Sequence, residues 1–260
     1  MTGERLQGAV LEAREITVRF GGFVAVNGAS LVAQPGQVTS LIGPNGAGKT
    51  TLFHALSGIL TPEHGDTVLD GRSLRGMSPD KRARAGMART FQILELFSGL
   101  SVAENLQVAV EGRSSNRIWR DLFSLRHPDN PDVIRQVREA MDLVGIADLA
   151  DRPAGALPTG LSRLVELARA LCTDPQVLLL DEPASGLSGP ETDRLHEVLT
   201  SLADLGLTIL LVEHDIELVM ALSKQIYVLD FGAMIAHGTP AEVRADPAVR
   251  SAYLGAEVEA

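Results

Sequence analysis

The chain has 260 residues and is 45% hydrophobic, enough to bury a real core in one large α/β domain or a domain with a small lobe. Its 23 basic and 33 acidic residues leave a formal charge of −10, and only three of the basic residues are lysine, a balance that repels nucleic-acid backbones. Six scattered histidines and a single cysteine, Cys172, exclude a disulfide framework and a Cys/His zinc cluster.

In chain order, Met1-Thr-Gly-Glu-Arg5 is followed by no apolar h-region, so no secretory leader is expected and the chain is expected to stay in the cytoplasm. Leu11 to Phe20 and Phe23 to Ala33 alternate apolar and polar residues around Gly21-Gly22, which predicts an antiparallel strand pair. Gln37 to Ile42 reads as a short buried strand running into a glycine-rich loop. Thr51 to Leu56 reads as a helix closed near Gly58, and Thr67 to Gly71 as a strand and turn.

From Ser78 to Leu171 the signals are helical, with no convincing strand. Ser101-Val-Ala-Glu104 is a capping box, and Val133, Ile134, Val137, Met141 and Val144 recur at helical spacing. Between them, Gly112 to Pro131 is predicted to be a surface loop, where Trp119 and Phe123 form either a contact face or a small local cluster. Cys172 reads as a small buried hydrophobe in an apolar helical stretch.

Strand and helix then alternate: strands at 177–181, 208–212 and 226–229, helices at 192–205 and 216–222, a parallel sheet with right-handed crossovers. The longest apolar runs, Val177 to Leu180 and Leu207 to Val212, fall far short of the roughly 20 residues of a membrane-spanning helix. Each has the length of a strand buried on both faces.

Two segments carry chemistry. Gly43-Pro44-Asn45-Gly46-Ala47-Gly48-Lys49-Thr50 fits the phosphate-loop pattern G-x-x-x-x-G-K-[ST], after a strand and before a helix. Its glycines let backbone N–H groups turn toward phosphate oxygens, and the helix N-terminus adds its positive end. Lys49 is placed to reach the β- and γ-phosphates and Thr50 to hold Mg²⁺. The second segment, Val177 to Glu182, is an apolar strand ending in two carboxylates. Asp181 is placed to bind Mg²⁺ through water, and Glu182 to orient and deprotonate the attacking water.

With Pro183-Ala-Ser-Gly-Leu187 following, these residues resemble the nucleotide-binding domain of an ABC transporter over essentially the whole chain. The resemblance implies an α/β P-loop NTPase cassette. Residues 1–89 and 172–260 would form a RecA-like parallel-sheet core with an N-terminal antiparallel β subdomain, and 90–171 an inserted α-helical lobe with the signature motif. It implies ATP and Mg²⁺ as ligands and ATP hydrolysis as the activity.

Residue by residue, Gly43 to Thr50 match the Walker A motif, with Thr51 beside the nucleotide. Asp181 matches the Walker B aspartate, Glu182 the catalytic glutamate and His214 the switch histidine. Gln92, in Ala88-Arg-Thr-Phe-Gln92, matches the Q-loop glutamine that senses Mg²⁺ and the attacking water. Phe20 sits where the family stacks an aromatic ring on adenine. The plain alternatives are a core position for Phe20, a surface amide for Gln92 and a hydrogen-bonded structural histidine for His214.

The signature motif departs from the family's usual Leu-Ser-Gly-Gly-Gln, which falls on Leu157-Pro158-Thr159-Gly160-Leu161. Pro158 replaces the serine whose hydroxyl would meet the γ-phosphate across a dimer, and it offers no N–H. What remains in trans is Gly160, the next backbone N–H groups, the helix dipole and the Thr159 hydroxyl. Ser188 stands where the D-loop often ends in aspartate.

Phe20 to Val26, Ala88 to Gln92, Leu96-Phe97 with Val102 to Leu106, and Ala252-Tyr-Leu-Gly255 look like the branched-chain amino acid importer branch. That branch implies a peripheral protein at the cytoplasmic face of the inner membrane. Its partners would be two transmembrane permease subunits, a second ATP-binding subunit in a mixed or identical pair, and an extracytoplasmic substrate-binding protein. No nucleic-acid partner is expected. A related system for urea, amides or lipid export is the alternative.

Overall fold

A computed structural model describes residues 6–90, 96–113 and 130–256. Strands β1 (Leu11–Phe20), β2 (Phe23–Ala33), β4 (His64–Leu69) and β5 (Arg72–Ser73) form a four-stranded antiparallel sheet in the order β2-β1-β4-β5. The Gly21-Gly22 turn joins β1 and β2, with Phe20 opposite Phe23.

The second sheet has six strands. β3 (Val38–Ile42), β6 (Met87–Arg89), β7 (Val177–Asp181), β8 (Thr208–Val212) and β9 (Gln225–Asp230) run parallel, and β10 (Ala233–Gly238) returns antiparallel at the edge. The order is β10-β9-β3-β8-β7-β6.

The central strands β3, β7 and β8 are buried at every position because both faces are covered. Leu178, Leu180, Ile209 and Leu211 face one core, while Val177, Leu179, Leu210 and Val212 face a second. Period-two alternation therefore survives as a choice of core. The first core also takes in α3 (Val102–Arg113), α4 (Pro131–Leu143) and α5 (Thr159–Leu171). The second packs α1 (Lys49–Ser57) between the parallel sheet and the antiparallel one. A third, smaller core lies under α7 (Ile216–Leu222), α8 (Pro240–Ala245) and α9 (Pro247–Ala256).

The far end of α1 is fixed by Arg82, which is 4% exposed and leaves α2 (Pro79–Arg84). Its guanidinium donates to the carbonyls of Ala55 (3.1 Å), Leu56 (2.6 Å), Leu74 (3.2 Å) and Met77 (3.2 Å). Two of these carbonyls belong to the last turn of α1, where the ladder of donors runs out, although Ala55 also accepts the N–H of the C-cap Gly58 at 3.2 Å.

Several expectations need correcting. A strand does interrupt the helical middle segment: β6 pairs in parallel with β7, Arg89 opposite Leu179. Three residues are too few to show a period, and pairing with β7 creates this strand. Ile134 is 46% exposed and does not join Val137 and Met141 in the core. Gly112 is the penultimate residue of α3 rather than loop, and Trp119 and Phe123 lie outside the described residues. The edge strand β10 was not anticipated. Helix α6 (Gly189–Asp204) begins three residues before the expected 192.

The Ser101 capping box forms: the Ser101 N–H donates to Glu104 Oε2 at 2.7 Å and the Glu104 N–H to Ser101 Oγ at 3.2 Å. Cys172 is buried, and desolvation pushes its thiol pKa up to about 12, so it is inert. Among the described residues no helix is long and apolar enough to cross a membrane.

Candidate active site

The sheet register gathers three loops. Val212 of β8 lies opposite Leu41 of β3 on one side and Asp181 of β7 on the other. The phosphate loop after β3, Glu182 after β7 and His214 after β8 therefore leave the same edge of the sheet. That crevice, at the carboxyl ends of parallel strands, is where ligands bind in open α/β sheets.

The phosphate loop is shaped by backbone contacts that exclude a side chain. A Cβ on Gly43 would stand 2.0 Å from the Leu229 carbonyl oxygen. One on Gly48 would stand 2.4 Å from the Ala25 carbonyl oxygen, at a φ of +100° that L-residues rarely adopt. Ala47 is buried, Pro44, Gly48 and Thr51 are half-buried, and Asn45, Gly46 and Thr50 are exposed. Helix α1 starts at Lys49, so its first N–H groups face this loop.

Lys49 is 8% exposed, and its ammonium donates to the carbonyls of Gly43 (2.7 Å) and Pro44 (2.9 Å). Burial pushes its pKa down, and the nearby Glu182 and Asp181 carboxylates push it back up. The ammonium is thus held inside the loop beside two anions, poised for phosphate oxygens.

Asp181 is 4% exposed, and desolvation raises its pKa. The Arg89 guanidinium, with Nη2 3.3 Å from Asp181 Oδ2, opposes that rise, while Glu182 and Glu213 add to it. Glu182 has φ +48°, a left-handed conformation uncommon for this residue type. Its N–H donates to the Val212 carbonyl at 2.8 Å, which holds the turn across the two strands. Strain of this kind is found where a side chain must be aimed. Glu182 Oε2 lies 3.9 Å from His214 Nδ1. The imidazole is 61% exposed, and its Nδ1 also lies 3.5 Å from Oε2 of the buried Glu213.

Asp181 and Thr50 would suit a divalent cation that is held jointly with a bound nucleotide. Among the described residues no group of three or more His, Cys, Asp or Glu side chains could hold a metal by itself. Asp181 is a buried carboxylate destabilised by desolvation, and Thr50 exposes its hydroxyl at the start of α1. These are donors suited to a Mg²⁺ that keeps waters and takes phosphate oxygens.

Phe20 is 50% exposed, which removes its core alternative and leaves the ring free to stack. Gln92 lies outside the described residues. In the signature segment Pro158 is the N-cap of α5 and makes no side-chain cap bond. Thr159 is exposed, and Gly160 is buried under Glu191, whose Oε1 accepts the Gly160 N–H at 3.2 Å.

Three contributing residues escaped sequence reasoning. Glu213 is buried, and its carboxylate accepts the N–H groups of Ala184 (2.9 Å), His214 (2.9 Å) and Asp215 (3.3 Å), tying the loop after β7 to the loop after β8. Arg89 pairs with Asp181, and Glu191 joins α6 to the signature turn. A charged residue directly after an apolar strand was the only available signal for Glu213, and none marked Arg89.

Residues 26–185 match the ABC transporter family, and the chain belongs to it. Membership makes it a nucleotide-binding transport ATPase. Residues 233–259 match a second family, the branched-chain amino acid ATP-binding cassette transporter. The chain is 42% identical over 254 residues to the high-affinity branched-chain amino acid transport ATP-binding protein BraF of Pseudomonas aeruginosa, covering 95% of this chain and 98% of that one. It is 40% identical over 254 residues to LivG of Escherichia coli K12, with the same coverage. Among solved structures, the ADP conformation of MJ1267, an ATP-binding cassette of an ABC transporter, superposes with a TM-score of 0.84 at 29% identity, covering 95% of this chain and 99% of that one. A nucleotide-free ATP-binding cassette gives 0.81 at 28%, covering 94% and 98%.

Proposed function

We propose that this chain hydrolyses ATP to power the import of branched-chain or related small hydrophobic amino acids through separate permease subunits. The observation that carries the hydrolytic part is the convergence of Lys49, Asp181, Glu182 and His214 at one edge of the parallel sheet. The cargo rests on the names of the relatives and on the match of residues 233–259.

Residues Gly43 to Thr51 wrap the phosphates, Lys49 binds the β- and γ-oxygens, and Phe20 stacks on adenine. Thr50, Asp181 and Gln92 would hold Mg²⁺, which when bound would supply charge neutralisation at the transferring phosphoryl group. Glu182 orients and deprotonates the attacking water, and His214 meets the γ-phosphate. Thr159 and Gly160 complete the site of a second ATP-binding subunit in trans, so an isolated copy is an incomplete enzyme.

We assign residues 1–89 and 172–260 to the core and 90–171 to the helical lobe. The outermost core strand ends at Arg89 and the signature helix at Leu171, which supports that division. The subunit would sit at the cytoplasmic face of the membrane, with two permeases, a second ATPase and an extracytoplasmic binding protein as partners.

Glu182→Gln is expected to lower turnover by about 100-fold or more while nucleotide binding persists, because general-base catalysis contributes on that order. ATPase assays with a nucleotide-binding control read this, and unchanged turnover would refute the role of Glu182. Gentle purification from native membranes, with mass spectrometry of the accompanying chains, tests the assembly. Two permeases and a second ATPase are expected; a single lipid-export subunit would overturn the cargo assignment.

A further inference from the structure

Arg89 is the last residue of β6, and its side chain is 12% exposed. Its guanidinium reaches two elements of the core. Nη2 lies 3.3 Å from Asp181 Oδ2, Nη1 donates to Ser57 Oγ at 3.0 Å, and the guanidinium carbon stands 4.7 Å from the centroid of the Phe53 ring. Ser57 and Phe53 both belong to α1, the helix that begins at Lys49 and Thr50. Ser57 is itself anchored, its hydroxyl donating to the His54 carbonyl at 3.2 Å.

The arrangement is a three-way brace. Strand β6 supplies the arginine, α1 fixes its orientation with an acceptor and an aromatic face, and β7 presents the carboxylate. A planar, forked donor is suited to this, since it engages two acceptors at once while stacking on a ring; an ammonium has neither the plane nor the reach. Beyond Arg89 the chain runs through Thr90, whose N–H donates to the Leu179 carbonyl at 3.0 Å, so the backbone here is also pinned to β7.

Resting on the reading of Asp181 as the Mg²⁺ carboxylate, we propose that Arg89 is a positioning residue for it, holding Oδ2 so that the other oxygen serves the cation. Partners that orient a metal-binding group from behind typically matter 10- to 100-fold in metal affinity. Two features separate positioning from bulk stabilisation. The contact to Asp181 is a directed one to a single oxygen, and the brace ties that oxygen to the helix that carries the other proposed metal group, Thr50.

The test titrates Mg²⁺ against a fluorescent ATP analogue bound to the intact chain, in wild type, Arg89→Gln, Arg89→Lys, Asp181→Asn and the Arg89→Gln/Asp181→Asn double variant. Affinity for the analogue without metal is measured in EDTA. Arg89→Gln is expected to raise the Mg²⁺ midpoint about 10- to 100-fold with metal-free affinity within twofold of wild type. Arg89→Lys, which keeps the charge and loses the fork, is expected to recover less than half of that shift on a logarithmic scale. In the Asp181→Asn background the Arg89 substitution is expected to add no more than twofold, because its effect passes through Asp181.

An unshifted or lowered Mg²⁺ midpoint in Arg89→Gln overturns the proposal. So do full recovery by lysine, additive effects in the double variant, or an equal loss of metal-free binding, which would mark a merely structural ion pair. If Arg89→Gln does not fold, Arg89→Lys alone and in the Asp181→Asn background carries the decision: alone it is expected to raise the Mg²⁺ midpoint severalfold over wild type, and over Asp181→Asn to add no more than twofold. Wild-type protein that binds the analogue with no Mg²⁺ dependence would instead refute the reading of Asp181, an outcome distinct from any failure of Arg89.

Discussion

Glu191 stands three residues into α6, yet its carboxylate serves two elements. It accepts the Ser188 N–H at 2.8 Å, the Ser188 hydroxyl at 2.7 Å and the Gly160 N–H at 3.2 Å. The serine standing at the D-loop position is thus used as a helix cap with the carboxylate of a capping box. These donors, the Ser188 N–H first, hold the Glu191 pKa below the ordinary glutamate value of 4.5. The sign follows from linkage: donors that favour the ionised form stabilise the fold above the unfolded-state pKa, and the contribution is lost as pH falls through the depressed native value. Glu191→Gln is therefore expected to lower the thermal midpoint at neutral pH. The gap from wild type should close as pH drops below 4.5, in melting curves recorded across that range. A gap that persists in acid would show that geometry rather than charge carries the contact.

At the scale of elements, the phosphate-binding helix is held at both ends by different means. Its N-terminus is set by the loop from Gly43 to Gly48, and its C-terminus by the four carbonyl bonds of Arg82. Hydrogen bonds from a charged donor are worth about 1.5–3 kcal/mol each, and of the four acceptors only the Ala55 and Leu74 carbonyls also take a backbone N–H among the described residues, from Gly58 and Met77. Arg82→Met keeps the apolar stem and deletes the donors, so we expect a loss of about 3 kcal/mol, read from urea unfolding midpoints. Less than about 1 kcal/mol would mean that water replaces the guanidinium.

Arg82 also marks the boundary of what the sequence discloses. The phosphate loop, β7 with its two carboxylates and β8 are legible because each is a local pattern: glycines at fixed spacing, or apolar runs of strand length ending in charge. Strand β6 is not, since Met87-Ala-Arg89 has no period and becomes a strand only against β7. The same holds for Arg89 and Glu213. Their partners stand 92 positions away in the case of Asp181 and 29 in the case of Ala184, and nothing local announces such pairs. The exposure of Ile134 follows the same rule, because spacing places a residue near an apolar stripe and only packing decides whether the stripe is covered there.

At the scale of the whole molecule, the formal charge of −10 bears on how a two-site machine assembles. The proposed mechanism requires the signature turn of one ATP-binding subunit to close on the phosphate loop of another. With Pro158 at the family's serine position, the proposed closure would rest on the Thr159 hydroxyl and backbone groups, and long-range repulsion would weigh in its balance. If the pair is two copies of this chain, each brings the same excess of carboxylates, and like net charges oppose encounter and closure. The Debye length falls from about 30 Å at ~0.01 M salt to about 8 Å at ~0.15 M, so raising salt in that range should screen the repulsion. Self-association of Glu182→Gln in Mg-ATP is therefore expected to strengthen as salt rises, measured by sedimentation velocity at fixed protein concentration. A mixed pair with a net-basic partner would show the reverse trend, because screening then removes attraction instead of repulsion. Weakening of self-association with salt would reject net-charge repulsion as the controlling term and point to direct ion pairs across the interface.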